Sequence, residues 1–201
     1  MDAPLIEIKV DEKKLDNIRR MLAGAPNAMP TAISRGINRT AASARAELVR
    51  RLRERLNLKI KRVRQYVMKP TRATRSHWQS TIQLSGERVK LIHFGARRIK
   101  GKGVSYAIER GGPRMKIIDP PTSAFIQTMP NSGHVGVFRR RSAARGSMFE
   151  LRGPSLGNAF EGAPGMVEQV RWWAAGKLEK NIDDQVAFLL NKWLSAGRAS
   201  G

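Results

Sequence analysis

The chain has 201 residues, 41% of them hydrophobic, with 38 Lys and Arg against 16 Asp and Glu for a formal net charge of +22. That length is most simply one domain with an added arm, and the apolar share excludes a disordered basic tail. The absence of cysteine excludes disulfides and thiolate metal sites, while the charge admits nucleic acid, an acidic protein or a membrane surface as partner.

Leu5, Ile6, Ile8 and Val10 alternate with Glu7 and Lys9 as a short strand, and Lys13 to Ala23 reads as a helix with Leu15, Ile18 and Leu22 on one side. Gly24-Ala25-Pro26-Asn27 breaks it. The stretch Met29 to Pro70 organises the rest. Ile33, Ile37, Ala41, Ala44, Leu48, Leu52 and Leu56 recur every three or four residues and line one face of a helix that opens at Pro30. Continuous to Leu56, it would be about 40 Å long. Thr40, Ala41 and Ala44 are small, so another element can approach closely there. The other face is basic, with nine Arg and three Lys against Glu47 and Glu54 between Met29 and Lys69. A solvated helix face accounts for such a run, and so does an anionic partner. Ile60 to Met68 is a second helix with Ile60, Val63 and Val67 inward, ended by Pro70.

From Thr71 the period changes to two. Thr81 to Leu84, Ser85-Gly86-Glu87 and Arg88 to Leu91 read as a β-hairpin. Gly95 to Gly103 reads as a glycine- and lysine-rich loop. Strands are expected at Val104 to Ile108, Arg114 to Ile118, Phe125 to Met129 and Val135 to Phe138, separated by Gly111-Gly112-Pro113, Pro120-Pro121 and Asn131-Ser132-Gly133. Five or six short strands between turns indicate an antiparallel sheet. After Pro164, Val167, Val170, Ala174, Leu178, Ile182, Val186, Leu189 and Trp193 keep one register across Asn181, as in a single long helix. Its charges balance, so the basic excess belongs to the first long helix and the sheet loops. Trp172, Trp173 and Trp193 bury large apolar areas, which favours a core role. They are also the candidate subunit-interface residues.

Little of this spells chemistry. Gly153-Pro154-Ser155-Leu156-Gly157 matches a hydrolase nucleophile elbow, but the required His should follow the serine, and His77, His93 and His134 all precede it. A structural turn leading into a helix is the better reading. The histidines stand 16 and 41 residues apart without His or Cys companions, so no metal site is legible, and His93 beside Phe94 reads as a structural strand residue. Gly101-Lys102-Gly103 lacks the spacing of a phosphate loop. The carboxylates Glu87, Glu109, Asp119 and Glu150 form no pair suited to acid–base work. No enzyme and no cofactor are expected. The remaining signal is basic: Arg97, Arg98, Lys100 and Lys102 in one loop, Arg139, Arg140, Arg141 and Arg145 in another. Such loops neutralise phosphates regardless of base sequence, or pair with an acidic neighbour.

The order of features resembles a known family. The helix Ala-Ile-Ser-Arg-Gly-Ile-Asn-Arg-Thr-Ala (Ala32 to Ala41) is followed by Ile92-His93-Phe94-Gly95-Ala96-Arg97 and Ala124-Phe125-Ile126. Gly133-His134-Val135-Gly136-Val137-Phe138-Arg139-Arg140 and Glu150-Leu151-Arg152-Gly153-Pro154-Ser155-Leu156 come next. From about Ala25 to the C-terminus the chain is similar to the minor tail protein Z family of tailed bacteriophages and prophages, and more loosely to phage tail-completion proteins. It departs from the family pattern at Ser147-Met148-Phe149, where a Leu-Pro-Ile-like strand is usual, which leaves the pairing of the last strand open.

The resemblance implies a non-enzymatic structural protein of the virion tail or neck, one that completes the head-proximal end of the tail for head–tail joining. It implies assembly in the host cytoplasm, other tail and neck proteins as partners, a hexameric ring around the DNA path and non-specific contact with genomic DNA. A free-standing, non-sequence-specific DNA-binding protein, using the basic helix and Arg-rich loops, is the alternative. No run approaches the roughly 18 apolar residues of a membrane helix, and Asp2 and Glu7 leave no signal region, so no membrane partner and no secretion are expected. The fold class expected is α+β: a long N-terminal helix packed on an antiparallel β-sheet, with a long C-terminal helix. The organisation expected is a core over 1–163, with helices in 13–69 and the sheet in 78–152, and a C-terminal helix or arm over 164–201.

Overall fold

A computed structural model of the chain describes residues 5–23, 28–100, 102–118, 123–142, 147–163 and 165–199. In chain order the elements are β1 (Leu5–Lys9), α1 (Glu12–Met21), α2 (Ala28–Arg55), α3 (Ile60–Tyr66), β2 (Gln79–Gln83) and β3 (Arg88–Lys90). Then come β4 (Arg97–Ile99), β5 (Gly103–Tyr106), β6 (Met115–Ile117), β7 (Phe125–Thr128), β8 (Val135–Arg140), β9 (Met148–Glu150), β10 (Arg152–Ser155), α4 (Leu156–Glu161) and α5 (Met166–Ala199). The fold is α+β, with one long helix near each end of the chain. The breaks expected at 24–27 and at Pro120-Pro121, the helix start at Pro164 and the residue Arg145 lie outside the described residues.

The chain divides into two compact units. The helix-rich unit takes Pro4–Leu48, Met68–Leu84 and Ala163–Gly201. Asp11 caps α1, its side chain accepting from the Lys14 backbone N–H at 2.7 Å. Strands β1 and β2 pair antiparallel with Ile6 opposite Ile82 and Ile8 opposite Ser80, all buried. Helix α2 meets α5 at its small-residue stripe. Gly36 faces Ile182, Ala41 and Ala44 are buried, and one turn on from Gly36 a polar contact is sealed between the helices. There the Thr40 hydroxyl donates to the Gly36 carbonyl at 2.8 Å and the Asn181 amide donates to the Thr40 oxygen at 2.9 Å. Buried polar atoms are tolerated when paired in this way.

The sheet-rich unit takes Val49–Val67 and Ser85–Gly162. The end of α2 buries Val49, Leu52 and Leu56 here, and Val63 and Val67 follow from and just after α3. Ile60, expected inward, is 38% exposed at the first turn of α3. Two three-stranded antiparallel sheets, β4–β5–β6 and β7–β8–β9, stand with the pair β10–β3. In the first sheet Gly103 has φ +124°, and a Cβ there would collide with the Ile117 carbonyl oxygen, so only glycine lets β5 come this close to β6. The 3-10 turn Leu91–His93 then delivers Phe94 to the core, where it is fully buried.

Several expectations are corrected. The segments 81–84 and 88–91 do not form a hairpin: β2 pairs with β1, and β3 with β10. Both edges of β2 are already filled, by β1 on one side and by Met68 and Thr71 on the other, whose N–H groups donate to Gln83 and Thr81 at 2.9 and 3.0 Å. The loop expected over Gly95 to Gly103 contains β4, and His93 lies in the 3-10 turn rather than a strand. Short strands are more numerous than the five or six expected, because segments of three or four residues such as β9 and β10 carry too little alternation to be read. The last strands are nonetheless paired: Phe149 stands opposite Arg139, and β10 pairs with β3 across a bulge.

Candidate interaction surfaces

The two basic loops are strand ends in the sheet-rich unit, and β7 brings part of each together. Arg97 and Arg98 lie on β4, exposed, opposite Ser105 and Val104. Lys100 and Lys102 follow in the exposed turn, closed by the Lys102 N–H donating to the Ile99 carbonyl at 3.1 Å. On the other sheet, Arg139 and Arg140 end β8 and Arg141 is exposed just beyond it. The Arg98 guanidinium donates to the Ile126 carbonyl of β7 at 3.0 Å. The Arg140 guanidinium stacks 5.5 Å from the centre of the Phe125 ring. Neighbouring residues of one strand thus hold an arginine from each sheet. Arg139, Arg140, Arg141 and Phe149 also line an open recess of about 500 Å³. Stacking on Phe125 keeps the Arg140 charge at the surface while immobilising its stem.

Many other arginines do structural work that a charge count does not reveal. Arg45 donates to the Met68 carbonyl, Arg88 to Gly153, Arg110 to Arg53 and Leu58, and Arg114 to Gly95 and Ser105. Each satisfies main-chain oxygens at helix ends, in turns or beside strands.

Sequence reasoning also missed a polar cluster beneath β8. Glu150 on β9 accepts from His134 Nε2 at 2.7 Å and pairs with Lys90 Nζ at 3.1 Å. Burial pushes the Glu150 carboxyl up, but the hydrogen bonds from His134 and Lys90 and their charges outweigh it and hold the pKa below 4.5. At His93, burial together with the nearby Arg62 and Lys90 charges holds the pKa below 6.5. Ser155, the only serine with an elbow-like context, is 4% exposed and caps α4, accepting from the Asn158 N–H at 3.2 Å. Among the described residues no group of His, Cys, Asp or Glu could hold a metal ion, and no helix is long and apolar enough to cross a membrane.

The tryptophans are not core. Trp172 is 81% exposed and Trp193 51%, while Trp173 is half-buried with Lys177 over its ring at 5.8 Å. The buried stripe of α5 is made of Val170, Ala174, Asn181, Ile182 and Val186, and Trp172 is turned away from it. Phe188 and Leu194 are exposed as well, so the end of α5 presents apolar surface.

The profile of prophage minor tail protein Z (GPZ) matches residues 8–192, nearly the whole chain. The chain belongs to the minor tail protein Z family. It is therefore a structural protein of a phage tail, whose partners include other tail proteins and whose place is the virion. No curated protein and no solved structure matches it. In this minor tail protein Z, Arg97, Arg98 and Arg141 and the apolar end of α5 lie at the surface, while Ser155 is buried.

Proposed function

We propose that this protein completes the head-proximal end of the tail for head–tail joining, as a sixfold ring around the DNA path assembled in the host cytoplasm. The family match over residues 8–192 carries this reading. Closed cyclic symmetry is the usual solution for such assemblies. Residues 164–201 serve as the arm that meets neighbouring subunits, with Trp172, Trp173 and Trp193 in the contact, over a core of 1–163. Some of the basic loop residues Arg97, Arg98, Lys100, Lys102, Arg139, Arg140, Arg141 and Arg145 face the channel and meet phosphates without regard to sequence. The meeting of Arg98 and Arg140 on β7 supports this by grouping charge from both sheets.

Electron microscopy of virions from a strain lacking the protein tests the placement: incomplete or detached tails are expected, and normal tails overturn it. A single copy per virion by quantitative mass spectrometry overturns the ring. Absence from virions, with duplex binding in solution, would favour the free-standing DNA-binding alternative. Single arginine changes should do little, since exposed charges contribute weakly one at a time. Replacing Arg139, Arg140 and Arg141 together by Gln should reduce DNA retention, and unchanged retention overturns the channel assignment.

A further inference from the structure

Where α2 ends and α3 begins, the sheet-rich unit holds an open recess of about 440 Å³ whose lining includes Arg53, Leu58, Lys59, Ile60, His93 and Arg110. None of its lining residues is acidic. The acids next to it in sequence are engaged elsewhere: Glu54 pairs with Arg50 at 2.6 Å and Glu109 with Arg55 at 3.2 Å. Arg53 and Lys59 have no acidic partner among the described residues.

The recess is built rather than incidental. Arg110 donates from Nε to the Arg53 carbonyl at 3.0 Å and from Nη2 to the Leu58 carbonyl at 3.3 Å. Those bonds fix the guanidinium and use two of its five N–H donors. The rim is held by Asn57, whose side-chain amide donates to the Phe94 and Ala107 carbonyls at 3.2 Å each. The wall includes apolar surface, from buried Leu58 and from Ile60, which is 38% exposed. His93 adds an imidazole whose pKa is lowered by its burial and by the Arg62 and Lys90 charges.

We propose that this recess seats an acidic segment of another protein, with a side-chain carboxylate held by Arg53, Lys59 and Arg110 and an apolar neighbour against Leu58 and Ile60. A concave site with apolar wall suits one carboxylate and its flanking residue. A duplex backbone instead tracks charges along an open surface. The acidic segment that complements this recess is assigned to a different, acidic protein, whose net charge is opposite to the +22 of this chain. The assignment does not depend on the ring or on the DNA path.

The test is fluorescence anisotropy of the full chain with a fluorescein-labelled peptide of alternating Glu and Leu, at about 0.15 M salt so that long-range attraction is screened. Changing Arg53→Gln and Lys59→Gln together should weaken binding by about tenfold or more, the scale of lost charge-assisted hydrogen bonds. Changing Arg72→Gln and Arg75→Gln, the same loss of charge at exposed residues with no assigned role, should change it by less than about twofold on the same scale. Equal losses from the two pairs would overturn the site as general attraction. Equal binding of a Gln–Leu peptide would overturn the carboxylate. A duplex oligonucleotide that binds through Arg53 and Lys59 while the peptide does not would make it a phosphate site and overturn the proposal. As a measurement free of substitutions, amide resonances of 53–60, 93 and 110 in the unmodified protein should shift on peptide addition, and unmoved resonances overturn it.

Discussion

Gly36 and Gly176 both lie inside long helices of the same compact unit, yet alanine should act in opposite directions at the two. Gly→Ala in a helix interior ordinarily stabilises by about 0.5–1 kcal/mol, through the smaller backbone entropy lost on folding. At Gly176 nothing lies within 4 Å of an added Cβ, so that gain should appear in full. At Gly36 the Cβ would sit 2.6 Å from Ile182 Cγ1, 3.2 Å from its Cα and 3.3 Å from its N. The side chain cannot simply turn away, because a β-branched residue in a helix has essentially one rotamer and Ile182 is buried. The backbone contacts mean that α2 and α5 must separate, and overpacking of this kind costs about 1–3 kcal/mol. Subtracting the helix gain leaves Gly36→Ala about 1–2 kcal/mol less stable, or a melting point lower by about 2–8 °C for a chain of this size. Gly176→Ala should melt about 1–4 °C higher. Urea and thermal unfolding followed by helical circular dichroism would read both. Equal stabilisation by the two substitutions would refute the close approach of α2 and α5 at Gly36.

Thr40→Val removes the acceptor of the Asn181 amide inside the helix contact and should cost about 1–3 kcal/mol by urea unfolding. Asn181→Leu should cost less, since Thr40 keeps its bond to Gly36. Because the folded pKa of Glu150 lies below 4.5, its contribution is present above pH 4.5 and is lost as pH falls through the folded value. The melting-point gap between the natural protein and Glu150→Gln should therefore narrow on acidification, and a gap constant between pH 7 and pH 3.5 would count against the cluster. Ser155→Ala should lower stability by about 1 kcal/mol through the lost cap while tails assemble normally, and abolished assembly in a stable variant would reopen a chemical role for the serine.

The helices were legible because each carries enough turns for its period to be read. α2 and α5 keep an apolar register over 28 and 34 residues, and the small stripe of α2 marks where α5 packs. The strands were legible as segments but not as partners. Ile6 and Ile82 are far apart in the chain, and nothing local in Thr81 to Leu91 reveals that both edges of β2 are occupied before β3 begins. Proximity then favours a hairpin that the structure does not contain. Gly86 gives the same warning after the fact: it is not among the glycines with positive φ, whereas the tightest hairpin turns need such a residue. Asn181 stands as a polar residue in an otherwise apolar register, and nothing local in the sequence shows that its buried amide meets Thr40.

Charge was the hardest quantity to interpret, because sequence counts cations without saying what each one faces. Arg110 is tied to the Arg53 and Leu58 carbonyls at and beyond the end of α2, and Arg114 to those of Gly95 and Ser105, so part of the excess satisfies main-chain oxygens of the fold. Arg50 and Arg55 are paired with Glu54 and Glu109. These pairings sharpen the signal that remains. They turn the local acids away from the recess at Arg53 and Lys59, and Phe125 and Ile126 gather Arg98 and Arg140 from separate sheets. The basic end of α2 and the basic strand ends are therefore different kinds of surface: the recess at α2 holds a guanidinium fixed on two main-chain carbonyls beside Ile60, and the recess at the strand ends opens more widely. Substitutions at the two places should consequently differ in salt response. Attraction at the open strand ends should fade steeply as salt rises, while the recess, with a fixed guanidinium and an apolar wall, should keep more of its affinity. Identical salt slopes for the Arg53/Lys59 and Arg139/Arg141 variants, each measured against its own ligand, would show that the distinction between the two surfaces is not real.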